Sequence, residues 1–368
     1  MKDKDRILIS GYYGFDNSGD DAILRAMVKD IKDNSDNVEI TVLSNKPDYT
    51  EKAYGIKAIN RFNIREARKS IREADLFISG GGSLLQDVTS TRSILYYWAL
   101  MNYSKRKKKP VMVDANGIGP INKKFNRMLT RKVLNKVDLI TLRDEDSKVF
   151  LDDLGVVNKN IVVTADPVFT MQPSDKNRIS EIFQSEGIPR ERPLIGVAIR
   201  SWKNAPNLVD DISKAIVKIL DEYDVNIILI PMHYPEDLDI SMSVLKNVSR
   251  EGLYILKEQY SVEDIMGIIN ELELIIAMRL HSLIYATTQG TPMIGLIYDP
   301  KIEGFLNFID VENMCNVEDL KVEELLHNIK TVWEDRVNIS KRLKEGDEKL
   351  KVKALENVHM ALNLLKRR

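Results

Sequence analysis

Several side chains that carry or can gain positive charge stand where short apolar runs of this sequence end. They are Arg200 in "IRSW", His233 in "PMHYPED", Arg279 and His281 in "AMRLHS", and Lys301 in "YDPK". Arginine grips a carboxylate or phosphate through paired hydrogen bonds, and lysine acts as a point charge. His281 opens a helical segment, with Ser282 next to it, where free amides and the helix dipole favour an anion. A lone histidine at such a place is often only a cap. Arg279, His281 and Lys301 together, at the ends of adjacent strands, point instead to an anion site.

An earlier stretch has the opposite character. "GYYGFDNSGDDAIL", residues 11–24, follows the first apolar run and has the look of a nucleotide-binding loop. It fits neither G-x-G-x-x-G nor the P-loop, because Asp20 stands where a P-loop needs lysine. Asp20 and Asp21 suit the cap and first turn of a helix predicted over 21–32. Asp16 and Asn17 precede that helix and suit the hydroxyls of a sugar. Four more run ends lie in the same half: "GGGSLLQD" with Gly81, Gly82, Gln86 and Asp87, "NGIGP" with Asn116, "RDEDS" with Arg143, and "ADP". Three consecutive glycines let a ligand or another backbone come close, or simply allow a tight turn. A neutral polyhydroxyl ligand in the first half and an anionic one in the second is the logic of a group transferase.

The elements that position these residues alternate regularly. Strand-like runs at 6–10, 38–43, 76–79, 111–116, 139–142 and 161–164 are separated by helical patterns at 21–32, 64–73, 93–105, 124–135 and 144–154. Residues 171–193 interrupt the rhythm with Pro173, Pro189, Pro193 and a short helix at 176–185. Strands then resume at 194–199, 226–231, 253–256, 274–278 and 293–298, with helices at 208–223, 239–248, 262–272 and 281–289. This is the pattern of parallel α/β sheets, and the near-continuous Val/Ile/Leu runs imply cover on both faces. The expected fold is α/β: two doubly wound, Rossmann-like domains facing a cleft. The first spans 1–173 and the second 174–345, with a C-terminal helix at 346–368 packing back on the first. In such sheets ligands bind beyond the carboxyl ends of the strands.

Composition excludes several classes. Lys+Arg 54 against Asp+Glu 55 gives a net charge of −1 and no electrostatic reason to expect nucleic acid. A single cysteine, Cys315, permits no internal disulfide and no cysteine-based zinc site. No H-E-x-x-H or other ligand cluster predicts a metal. No secretory h-region and no membrane-length apolar run are present, so a cytoplasmic protein is expected. Basic clusters at 105–109 and 366–368 are solvated faces or peripheral contacts with an anionic membrane surface.

The ordered set "GYYGFDNSGDDAIL", "SGGGSLLQD", "LRDEDS", "MRLHSLIYA" and "YDPK", spanning residues 11–301, resembles the polysaccharide pyruvyl transferases. It is most similar to bacterial members acting on secondary cell-wall polysaccharide precursors for S-layer anchoring. The resemblance implies a glycosyltransferase-B-like fold, phosphoenolpyruvate as donor, and no cofactor beyond it. It implies a lipid-linked saccharide acceptor, with N-acetylmannosamine as the modified sugar and a 4,6-ketal as the product. It places catalysis on Arg143, His281 and Lys301. Arg279, Arg200, His233 and Ser282 are then expected on the donor. Asp16, Asn17, Asp20, Gly81, Gly82, Gln86, Asp87 and Asn116 are expected on the acceptor.

Arg143, Arg279 and Lys301 would offset most of the donor's charge, and His281 would be the acid/base group. The base toward the acceptor stays open among Asp16, Asp20 and Asp87. A nucleotide-sugar glycosyltransferase of the same fold and a non-catalytic saccharide-binding module are the rival readings.

Overall fold

The computed structural model describes residues 4–87 and 91–366. The chain divides into two compact units: Met1–Thr170 with Leu350–Arg368, and Met171–Lys349.

Unit 1 holds seven strands: β1 (Asp5–Ser10), β2 (Val38–Ser44), β3 (Lys57–Asn60), β4 (Leu76–Ser79), β5 (Val111–Asn116), β6 (Leu139–Leu142) and β7 (Ile161–Val163). They form one sheet in the order β3-β2-β1-β4-β5-β6-β7, and every pairing is parallel. Between them run α1 (Ser18–Asn34), α2 (Pro47–Tyr54), α3 (Ile64–Glu73), α4 (Thr91–Arg106), α5 (Lys124–Leu134) and α6 (Glu145–Leu154). The central strands β4, β5 and β6 bury every residue, as a sheet with both faces covered requires. Edge strand β3 is only partly buried. It carries Lys57 and Asn60, so its pattern was too polar to stand out in the sequence.

Unit 2 repeats the plan. It contains α7 (Lys176–Glu186), β8 (Leu194–Ala198), α8 (Leu208–Glu222), β9 (Asn226–Leu229), α9 (Glu236–Val248), β10 (Leu253–Ile255) and α10 (Val262–Asn270). These are followed by β11 (Leu274–Ala277), α11 (Leu280–Gln289), β12 (Met293–Ile297), α12 (Pro300–Phe308) and β13 (Met314–Asn316). The parallel order is β10-β9-β8-β11-β12-β13. The tail is one continuous helix, α13 (Val322–Lys366), of which the segment from 346 is the last part. From Leu350 onward it belongs to unit 1. There the buried Asn357 accepts from the Thr164 hydroxyl (2.8 Å) and donates to the Ala165 carbonyl (3.0 Å), fixing the end of β7.

In each sheet the strand order reverses once, between β1 and β4 in unit 1 and between β8 and β11 in unit 2. Ligand sites of doubly wound folds lie at that switch point. Beside the first, β5 shifts register between Val113 and Asn116, and Ala115 adopts a left-handed backbone (φ 43°). That conformation costs a non-glycine residue about 1–2 kcal/mol. The irregularity turns the end of β5, so that the Asn116 amide donates to the carbonyls of Gly80 (2.6 Å) and Asp114 (2.9 Å). Among the described residues no helix is long and apolar enough to cross a membrane. In the basic cluster at 105–109, Lys105 is paired with Asp138 (2.7 Å); residues 367–368 of the other lie outside the described residues.

Candidate active site

The loop after β1 is shaped by its own unit. Asn17 accepts a hydrogen bond from the Gly19 N–H (3.1 Å) and is the cap of α1. The helix therefore begins at Ser18, not at Asp21, and Asp20 lies in its first turn. Asp16 has a left-handed backbone (φ 58°), and its carboxylate holds the Lys46 ammonium at 2.5 Å. Asp21 is half-buried; burial and the neighbouring Asp16 charge push its pKa up to about 7, against a Tyr54 hydrogen bond and the Lys46 charge.

The glycines serve the same loop. A Cβ at Gly80 would collide with the Tyr13 hydroxyl, and one at Gly11 with the Tyr13 ring. A Cβ at Gly81 would press on Ile23 (2.8 Å). Gly82 takes φ +87° and packs against Asp20. What approaches the triple glycine is thus Tyr13 and α1 of the same unit.

Asp87 is almost fully buried. It accepts from the Asn122 N–H (2.8 Å), the Lys123 N–H (3.0 Å) and the Asn126 amide (2.8 Å). Burial alone would raise its pKa, but these donors outweigh it and hold the carboxyl below its usual range. Asp87 caps α5, whose own cap residue, Lys123, supplies no side-chain acceptor. Gln86 sits half-buried beside it. Asn116 is fully buried, with its amide committed to the Gly80 turn.

Arg143 ends β6 and is 8% exposed. Its Nη1 reaches Asp166 Oδ2 (3.2 Å), Nη2 donates to Ser83 Oγ (3.1 Å), and Nε lies 3.5 Å from Asp144. Gly117 leaves room for the guanidinium, since a Cβ there would stand 2.8 Å from Nε. Asp166 is fixed in turn by the Val168 N–H (3.1 Å). Behind this pair lies Asp114, also buried and 3.5 Å from the Thr141 hydroxyl. Burial and the Asp166 charge push its pKa up to about 7.

In unit 2, Arg279 follows β11, and its guanidinium clasps Asp237 by Nη2–Oδ1 (2.5 Å) and Nε–Oδ2 (3.0 Å). Asp237 is fully buried and also takes the N–H groups of His233 (3.0 Å) and Met232 (3.2 Å). His233 Nδ1 lies 3.6 Å from Glu236. His281 is the second residue of α11, half-buried, its ring tilted 55° against Tyr285 at 6.3 Å. Ser282 is buried and donates to the Arg279 carbonyl (2.6 Å). Lys301 is second in α12, with Nζ 3.1 Å from Asp299, the cap of that helix.

Arg200 differs from these. Its N–H donates to Met278 Sδ (3.4 Å), which seats it beside the end of β11, at the switch point. Its guanidinium lies 5.1 Å from the Tyr298 ring centroid and donates to the Tyr298 hydroxyl (3.2 Å). Nε is buried without a hydrogen-bond partner, and among the described residues no carboxylate pairs with it. Trp202 packs on the same tyrosine (4.9 Å, 54°) and donates to Glu318 (2.9 Å).

Residues 17–300 match the model of the polysaccharide pyruvyl transferase family. The chain belongs to that family. The amylovoran biosynthesis protein AmsJ of Erwinia amylovora is 19% identical over 312 residues, 78% of this chain and 72% of AmsJ. Among solved structures, the S. aureus MnaA–UDP complex superposes with a TM-score of 0.70 at 15% identity, covering 98% of this chain and 97% of that one. The UDP-GlcNAc 2-epimerase of Neisseria meningitidis bound to UDP-GlcNAc gives 0.68 at 12%, covering 99% and 100%. A glycosyltransferase of Rickettsia africae gives 0.66 at 15%, covering 99% and 100%. These likenesses define a glycosyltransferase-B-like α/β fold.

For a pyruvyl transferase, several expected site residues have structural partners instead of open ones. Arg279 is neutralised by Asp237, Asp87 is saturated by amides, Asn17 is a helix cap, and Asn116 is a buried clamp. The sequence reading missed Asp166, Ser83 and Asp114 around Arg143; "ADP" at a strand end was the available signal. A hollow of about 510 Å³ between α2 and α3, lined by Arg6, Glu39, Glu51 and Lys57, crosses the amino-terminal part of β1. Arg6 and Lys57 are paired with Glu39, Glu51 accepts from the Ala58 N–H (3.0 Å), and the hollow stands away from the strand ends that carry the motifs.

Proposed function

We propose that the chain transfers the pyruvyl group of phosphoenolpyruvate to two hydroxyls of one sugar, forming a 4,6-ketal and releasing phosphate. The acceptor in this reading is N-acetylmannosamine of a lipid-linked cell-wall polysaccharide precursor of the S-layer-anchoring type, presented at the cytoplasmic face of a membrane. Unit 2 takes the donor and unit 1 the acceptor.

The observation that carries the donor assignment is Arg200: a cation without a carboxylate, at the switch point, beside the amino end of α11. Burying the nearly trianionic donor uncompensated would be prohibitive, and Arg279 cannot help because its charge is already met. Lys301 can, because its pair with Asp299 is half-exposed and such pairs are worth at most about 1 kcal/mol. Arg143 is paired too, with Asp166, so its catalytic role in this reading is to present hydrogen bonds from a guanidinium held rigid by Asp166 and Ser83, not to offset the donor's charge.

The chemistry needs one acid and one base. His281 protonates the enol methylene, making C2 electrophilic. A sugar hydroxyl attacks C2 and gives its proton to a carboxylate. The C2–O bond to phosphate breaks, and the second hydroxyl closes the ring. Of the two hydroxyl protons, one replaces that used on the methyl group and one leaves with phosphate. Asp87 is unsuited as base, since three donors hold it as a carboxylate below its usual pKa range; Asp21, with a pKa near 7, is suited to exchange a proton at neutral pH.

The test supplies phosphoenolpyruvate and a synthetic N-acetylmannosaminyl disaccharide, and follows phosphate release and a product heavier by one pyruvate less one water. Protection from thermal unfolding by phosphoenolpyruvate, and not by nucleotide sugars, is expected. The reverse pattern would favour glycosyl transfer.

A further inference from the structure

We propose that the ends of β1 and β3 in unit 1 form an aromatic platform that receives one pyranose ring of the saccharide acceptor, with Arg61 as its fixed support. The proposal rests on the assignment of the acceptor to unit 1.

Arg61 follows β3 and is 7% exposed. Its Nη1 donates to the Gly11 carbonyl (2.9 Å) and Nη2 to the Tyr97 hydroxyl (3.4 Å), while the Tyr96 hydroxyl donates to the Arg61 carbonyl (3.2 Å). Nε is buried with no hydrogen-bond partner, and among the described residues no carboxylate meets the charge. A buried cation of this kind needs compensation. Four rings supply it: Tyr96 at 4.4 Å, Phe15 at 5.2 Å, Phe62 at 5.6 Å and Tyr97 at 5.7 Å from the guanidinium carbon. Tyr12 stacks flat on Phe15 (4.1 Å, 8°).

The outer members of this frame face solvent. Tyr12 is 37% exposed and Phe62 63%. Phe62 is held by the guanidinium directly and Tyr12 through its stack on Phe15, so both are fixed by a cation that also grips the β1 loop. The platform is rigid before any ligand arrives, so little ordering entropy is lost on binding.

The occupant follows from the chemistry. Aromatic faces are electron-rich and attract polarised C–H bonds, and a pyranose presents one face of C–H bonds edged by hydroxyls. The adjoining rim offers hydroxyl partners in the Asp16–Lys46 pair and in Asn45, whose amide lies 3.3 Å from the Gly14 carbonyl. The rim charges cancel and Arg61 is sequestered, so the surface favours a neutral ligand over a phosphate or a nucleotide.

Tyr12→Ala and Phe62→Ala test this, since both side chains are exposed enough to remove without emptying the core. With the methyl glycoside of the N-acetylmannosaminyl disaccharide as acceptor, KM for the sugar is expected to rise about tenfold or more in each. The KM for phosphoenolpyruvate and kcat should stay within about twofold, and Tyr12→Phe should restore the wild-type value. An unchanged sugar KM would overturn the proposal. Saturation-transfer NMR with the same disaccharide separates it from the functional reading. Loss of the signal in the alanine variants supports the platform even if wild type turns over no phosphoenolpyruvate. A signal from an alkyl pyrophosphate lacking sugar, lost in the same variants, would place a lipid there and overturn it.

Discussion

The two units share a strand order but not an electrostatic plan at the carboxyl ends of their strands. In unit 1 the charges close on themselves: Arg143 on Asp166 and Asp144, Asp16 on Lys46, Asp87 on three amides. What remains there is aromatic surface and hydrogen-bonding rim. In unit 2 one clasp, Arg279–Asp237, is closed, while Arg200 is left over beside the start of α11. The same backbone thus offers a neutral edge and a cationic one. Fold fixes where a ligand goes; the pairing of side chains decides what it is.

The largest expected effect separates the two arginines of unit 2. Arg279→Ala strands the buried Asp237 and should cost about 3–5 kcal/mol of stability in urea unfolding. Arg200→Ala, with no carboxylate to strand, should barely change stability. If Arg279→Ala unfolds normally, the clasp is not structural and the distinction fails.

His281→Gln comes next. It keeps much of the size and hydrogen bonding but cannot donate a proton. Donor binding by calorimetry should survive while turnover falls about 100-fold or more. Loss of binding with no separate rate defect would make His281 an anion ligand only.

A third test concerns unit 1 and pH. The folded-state pKa of Asp114, about 7, lies above its unfolded value of 3.8. The folded chain therefore holds a proton that the unfolded chain releases, so this group's contribution falls as pH rises from about 4 to 7 and levels off above. Asp114→Asn should gain about 2.5 kcal/mol relative to wild type between pH 5 and pH 8. A pH-independent difference would mean the carboxyl is not desolvated as described.

The smallest effect sharpens the donor assignment: Arg200→Ala should weaken phosphoenolpyruvate binding about tenfold and leave the acceptor KM unchanged, the order of one charge-assisted hydrogen bond. Equal losses on both substrates would contradict the division of labour.

What the sequence made legible was periodicity. β4, β5 and β6 were read to the residue because they are buried throughout, and their composition says so. β3 and β13 were missed because edge strands are short and half polar. The start of α1 was placed three residues late because Gly19 reads as loop until Asn17 is seen to cap it. The partners of the site residues could not be read where they lie far away in sequence. Asp237 meets Arg279 across 42 residues, and the amides that saturate Asp87 lie 35 to 39 residues on. Position at a strand end was readable; whether a charge was already answered was not.

Tyr13 fills the space that Gly11 and Gly80 leave open, so two loops sixty-nine positions apart are cut to one key. Any lineage or library that alters one of them is constrained by the other. Enlarging either glycine demands a smaller residue at 13, and shrinking Tyr13 opens a hole under both loops. Randomising the β1 loop alone should therefore yield few folded variants, whereas exchanging positions 11, 13 and 80 together from a relative should transplant the loop intact. The unit of change at this edge of the protein is the trio.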